Sequence, residues 1–165
     1  MSEPTVPDPT TGIKEIGGVA DGQAQPCRVL VVEDDFDDQI LAKKRLSVSP
    51  MVESIVCFSN GMELFQYLYD QDLNDRSIWG MTPMVIVLDL NMPLMDGFDV
   101  LQKLRSDAIL SNIPVLVVTG TQSKADVEKA LRFKADAVFE KPLDLSKLES
   151  YFRQGWSWPR KEKWN

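Results

Sequence analysis

The chain has 165 residues, 44% of them apolar and 26% charged, with a formal net charge of −7. That is one domain's length with short tails, and enough apolar material for a core. The acidic balance argues against non-specific binding to nucleic acid or an anionic membrane. Histidine is absent, which excludes a Ser–His–Asp triad, a histidine metal site and a phosphohistidine. Any phosphoryl group handled here must come from a partner or a small molecule.

Residues 1–26 hold four prolines, four glycines and no sustained apolar period, the composition of a flexible leader. No basic, apolar secretory pattern opens the chain, and no apolar run approaches the roughly 18 residues of a membrane span. A cytoplasmic protein is expected. Cys27 and Cys57 fit neither a disulfide framework nor a zinc pattern and read as small apolar residues.

An ordered unit is expected over 27–152. Its short apolar runs are Val29–Val32, Ile55–Phe58, Met84–Leu88, Val115–Val118 and Ala137–Phe139. Such runs suit strands covered on both faces. Helical faces lie between them: Leu64, Phe65 and Leu68; Phe98, Leu101 and Leu104; Val127, Ala130 and Leu131. Asn60-Gly61 marks a turn, and Ser123 with Asp126, and Ser146 with Glu149, fit capping boxes. The order is (βα) repeated five times, which predicts a parallel sheet with helices on both faces. The connector from about Asp70 to Pro83, with a lone Trp79, exceeds the usual loop of about two to six residues. The tail 153–165 carries Trp156, Trp158 and Trp164 with four basic residues. It suits either folding back on the domain or docking to a partner or second subunit.

Chemistry-bearing residues follow the apolar runs. The first run ends in Glu33-Asp34, the third in Asp89, the fourth in Thr119 and the fifth in Glu140-Lys141-Pro142. Parallel strands bring these residues to one carboxyl edge, where open α/β sheets bind ligands. Taken singly, each has a plain structural use: Asp35 or Asp37 as helix caps, Thr119 as a strand end, Lys141 as a solvated charge. Together they conflict, because Glu33, Asp34 and Asp89 repel one another. At about 4 Å and an effective dielectric near 20, one like-charge pair costs roughly 4 kcal/mol. A cation relieves this, and oxygen-only ligands point to Mg2+. Thr119 and Lys141 are then placed to meet phosphoryl oxygens, with the Asp89 carboxylate as nucleophile.

The segments VLVVEDD, VIVLDLNMPLMDG, VLVVTG and VFEKPLD resemble those of the bacterial response-regulator receiver domain, over roughly residues 27–152. The resemblance implies a flavodoxin-like five-stranded parallel sheet of order 2-1-3-4-5, helices on both faces, and Asp89 as phosphoacceptor. Asp34 would bind Mg2+ directly, Glu33 would act through a water, and the Asn91 backbone carbonyl would be a further ligand. Thr119 would be the switch hydroxyl, Lys141 would bridge to the phosphoryl group, and Lys141-Pro142 would be cis. The implied role is a phosphoacceptor regulator that catalyses only its own phosphotransfer and slow autodephosphorylation. Its donor would be a sensor histidine kinase or a histidine phosphotransfer protein. A downstream protein would bind the face of the fourth strand and fourth and fifth helices, and a homodimer is compatible with this format. The long connector and stand-alone format resemble receivers paired with bacterial phytochromes.

One position departs from the family pattern. Where receivers carry an aromatic residue three before the lysine, this chain has Val138. Phe139 follows, and strand alternation sends it to the other face. Two other readings compete. A Mg2+-dependent phosphohydrolase acting through Asp89 would want an aspartate where Asn91 stands. A phosphorylation-independent adaptor would have little use for the complete set of Glu33, Asp34, Asp89, Thr119 and Lys141.

Overall fold

The computed structural model describes residues 25–71, 82–120 and 123–154. The leader, the interior of the 70–83 connector, and all four tryptophans lie outside the described residues. The strands are β1 (Cys27–Val32), β2 (Val52–Phe58), β3 (Met84–Leu88), β4 (Val115–Thr119) and β5 (Ala137–Glu140). The helices are α1 (Phe36–Leu46), α2 (Gly61–Asp70), α3 (Gly97–Ser106), α4 (Lys124–Arg132) and α5 (Leu145–Gln154). A short 3-10 turn at Leu110–Asn112 leads into β4. Every strand pairing is parallel, and the order across the sheet is β2-β1-β3-β4-β5. This is the flavodoxin-like arrangement expected from the sequence. Among the described residues, no helix is long and apolar enough to cross a membrane.

The apolar runs lack polar alternation because both faces of the sheet are covered. Period-two alternation nevertheless sorts each strand between two cores. Leu30 and Val32 of β1, Ile86 and Leu88 of β3, and Val115 and Val117 of β4 pack with α2, α3 and α4. Their alternate neighbours Val29, Val31, Val85, Val87, Leu116 and Val118 pack with α1 and α5. The same alternation separates Val138, which joins the first core, from Phe139, which joins the second. Phe139 meets Tyr151 edge to face, with ring centroids 6.3 Å apart.

Helix starts follow local chemistry. Asp35, Asn60, Asp96 and Ser123 accept hydrogen bonds from the backbone N–H three residues on, capping α1, α2, α3 and α4. The fifth helix departs from the sequence reading. Asp144, rather than Ser146, accepts from the backbone N–H groups of Ser146 and Lys147. Glu149 instead takes the Ser49 hydroxyl at 2.6 Å. The face assigned to α4 is also narrower than expected: Ala130 is buried, whereas Leu131 is exposed.

Two features hold the sheet ends in place. Arg105 at the end of α3 pairs with Asp136 at 2.8 Å and donates to the carbonyls of Ile113, Ser111 and Lys134. The same Asp136 oxygen accepts the Val115 N–H, so one buried ion pair anchors the starts of β4 and β5. At the opposite edge, Gly97 packs directly on the loop that follows β3. Its N–H donates to the Leu90 carbonyl at 2.9 Å. A Cβ here would collide with the Asp89 carbonyl oxygen and come within 2.6 Å of Leu90 Cα. Backbone cannot yield as a flexible side chain does. Gly97→Ala is therefore expected to lower stability by about 2 kcal/mol, read from urea unfolding; an unchanged midpoint would refute the close approach.

Candidate phosphoacceptor and metal site

Hydrogen bonds between neighbouring strand ends bring the site together. The Glu33 N–H donates to the Phe58 carbonyl, the Asp89 N–H to the Val32 carbonyl, and the Lys141 N–H to the Thr119 carbonyl. Glu33, Asp89 and Lys141 are thus each fixed by their own backbone N–H to the strand beside them. Glu33, Asp89 and Thr119 are buried, while Asp34 is exposed at the rim. Oxygen atoms from Glu33, Asp34 and Asp89 lie within 4.8 Å of one another. The convergence of acids expected from strand direction is present. The Lys141-Pro142 peptide is cis, and Asn91 is exposed in the loop after Asp89.

Lys141 holds the acids together. Its Nζ lies 2.6 Å from Glu33 Oε2, 2.8 Å from Asp38 Oδ2 and 3.5 Å from Asp89 Oδ2. The other Glu33 oxygen accepts the Asp35 N–H, and the Glu33 carbonyl accepts from Gln39 Nε2. Burial pushes both the Glu33 and Asp89 carboxyls above the usual carboxylate range, with Lys141 pulling each back. Burial alone would lower the Lys141 ammonium. Its hydrogen bonds to Asp38 and Glu33 and the charge of Asp89 reverse this and hold it above its ordinary value. At neutral pH the ammonium stays charged. The Cys27 thiol, far from this chemistry in the second core, is pushed up to about 12 by burial and behaves as an apolar residue.

The acids fit a hard divalent cation. Among the described residues Asp89 Oδ1 is buried without a hydrogen-bond partner, a costly state for a carboxylate unless a ligand supplies one. Among the described residues Lys141 is the one ammonium paired with Glu33 and Asp89, so negative charge remains for a cation to neutralise. The site borders a cavity of about 360 Å³ whose rim carries Glu33, Asp38, Asp89 and Lys141. Asp38 is the participant that the sequence reading missed. Its signal was present: it falls one helical turn after Asp34, on the first turn of a helix that starts at the same sheet edge.

The raised acids carry a definite pH sign. An acid whose folded pKa exceeds its unfolded value subtracts stability at neutral pH, and the loss is relieved as pH falls through the raised value. Metal-free Asp89→Asn is thus expected to be more stable than the parent chain at pH 7 by about 1 kcal/mol. The gap should shrink on acidification towards about pH 4. Mg2+ at ten times its dissociation constant should stabilise the parent chain by about 1.4 kcal/mol and the variant much less. Urea unfolding at both pH values, with and without Mg2+, checks this. Destabilisation by Asp89→Asn at pH 7 would contradict it.

Comparison with known proteins agrees with the geometry. Residues 29–153 match the response regulator receiver domain. Response regulator Rcp1 of Synechocystis sp. is 28% identical over 130 residues, covering 79% of this chain and 86% of Rcp1. The solved Mn2+-bound form of Rcp1 aligns with a TM-score of 0.58 at 26% identity, over 78% of this chain and 90% of that one. The phosphorylated cyanobacterial phytochrome response regulator RcpA gives a TM-score of 0.60 at 28% identity, over 78% and 89%. The bacteriophytochrome response regulator RtBRR gives 0.65 at 29% identity, over 84% of each chain. Receiver domains of this kind act as phosphoacceptors rather than as enzymes turning over an external substrate. With its fold, its acid cluster and most of its length in agreement, the chain belongs to the response regulator receiver domain family.

Proposed function

We propose that residues 27–152 form a phosphorylation-activated switch of a two-component or phosphorelay system, with Asp89 as phosphoacceptor in a Mg2+-dependent reaction. The observation carrying this reading is the buried Asp89 carboxylate, one oxygen unpartnered, beside two further acids and a lysine. The donor is a sensor histidine kinase or histidine phosphotransfer protein. Likeness to the phytochrome response regulators RcpA and RtBRR favours a kinase of the phytochrome type.

In the transfer, an Asp89 carboxylate oxygen attacks phosphorus as the P–N bond of the donor phosphohistidine breaks, leaving an acyl phosphate and an imidazole that takes a proton from water. Glu33, Asp34, Asp89 and the Asn91 backbone carbonyl would hold Mg2+, which offsets the charge of the transferring phosphoryl oxygens when bound. Thr119, at the end of β4, donates its hydroxyl to a phosphoryl oxygen, and Lys141 neutralises another. No general base is needed, because the attacking group is already an anion. The added charge of about −1.5 to −2 draws Thr119 and Lys141 inward and shifts the loops after β3 and β4 between two states. A partner protein then reads a face of α4, α5 and the edge strand β5; the fourth strand expected from the sequence in that face is fully buried between β3 and β5.

Readout does not run through a ring at the position three before the lysine, since Val138 stands there and Phe139 packs on Tyr151 on the other face of the sheet. Intact mass after incubation with acetyl phosphate and Mg2+, repeated with a histidine-kinase donor, tests the chemistry. One added phosphoryl group is expected, lost without Mg2+ and lost in Asp89→Asn. Absence of the gain with both donors would contradict the reading, as would its persistence in the variant.

A further inference from the structure

The transfer chemistry leaves one acid of the cluster without a role. Asp38 lies in the first turn of α1, and its Oδ2 stands 2.8 Å from Lys141 Nζ. That is closer than the 3.5 Å between the same ammonium and Asp89. Glu33 is closer still, at 2.6 Å. The lysine that would meet a phosphoryl group on Asp89 is therefore held by two other carboxylates on the α1 side.

An acid in the first helical turn is favoured by the helix dipole alone. Asp37, exposed in the same turn, already answers that preference. The dipole does not account for a contact to a residue 103 positions away in sequence. Nor is Asp38 needed to keep Lys141 charged, since Glu33 and Asp89 both favour the ammonium. Its particular effect is geometric. An ammonium has three donor hydrogens, and Asp38 engages one of them at the mouth of the site, away from the acceptor.

We propose that Asp38 is a positioning residue that holds Lys141 back from Asp89 in the unphosphorylated chain, and that its competition for Lys141 limits how firmly a phosphoryl group is retained. The inference rests on the reading of Asp89 as phosphoacceptor. As an anion builds on Asp89, Lys141 must exchange its Asp38 contact for a phosphoryl oxygen. Whatever that contact contributes to the unmodified state is lost from the modified one. Removing the Asp38 charge favours the modified state while leaving the acceptor and the three metal-facing acids intact.

Beryllofluoride, an anion that bonds to a carboxylate oxygen and mimics a phosphoryl group, is the probe. The parent chain, Asp38→Asn and Asp37→Asn are titrated at saturating Mg2+ and followed by bound 19F resonances. Asp38→Asn should bind about fivefold more tightly, the scale of one partly exposed ion pair. Asp37→Asn removes the same charge one residue away without touching Lys141, and should stay within about twofold of the parent. Damage to α1 would weaken binding, so a gain in affinity is a sign that a merely structural role does not produce. Equal affinities for Asp38→Asn and the parent overturn the role of Asp38, as does an equal gain in both variants, which would report bulk charge. Failure of the folded parent chain to bind at all overturns the Asp89 reading itself, and this inference with it.

Discussion

Three carboxylates within 4.8 Å of one another at the end of a parallel sheet are the constraint on which this structure turns. Two of them are buried, where like charges interact strongly and solvation is lost. Lys141 offsets part of that cost, reaching across 108 residues of sequence to Glu33. It arrives there because β5 pairs with β4 in parallel register and its backbone N–H is tied to the Thr119 carbonyl. The two apolar cores and the Arg105–Asp136 pair at the far end of β4 and β5 hold these strand ends in register. Packing far from the site thus maintains an arrangement that electrostatics alone would drive apart.

Neutralisation of the acids within the site is incomplete. Lys141 sits nearest Glu33 and Asp38, and Asp89 Oδ1 has no hydrogen-bond partner among the described residues. A fully satisfied network would resist a ligand. Here a cation gains two buried carboxylates, and an anion on Asp89 gains an ammonium already within 3.5 Å. The close packing of Gly97 on the Asp89 and Leu90 backbone fixes the Asp89 backbone beside it.

Much of this was legible in the sequence because it depends on strand direction and period. Five apolar runs and the residues after them specified the parallel sheet and the converging edge. Alternation in β5 correctly separated Val138 from Phe139. What escaped depends on where a side chain points after a turn. The cap of α5 is Asp144 rather than Ser146 because the chain enters the helix two residues earlier than the capping box implies. Leu131 follows the apolar pattern of α4, yet that helix covers the sheet chiefly through Ala130. Asp38 reads as a helix-start acid one turn after Asp34, which places it at the sheet edge, while its contact with Lys141 depends on the path of the β5–α5 loop.

A crystal structure of the chain with Mg2+ and beryllofluoride tests most directly the proposal that Lys141 exchanges partners within this acid cluster. The expected result is a metal ion on the Glu33, Asp34 and Asp89 side, beryllium bonded to an Asp89 oxygen, and Lys141 Nζ on a fluoride instead of Asp38. Beryllium on another carboxylate, or a lysine still held by Glu33 and Asp38 beside a modified Asp89, would contradict it.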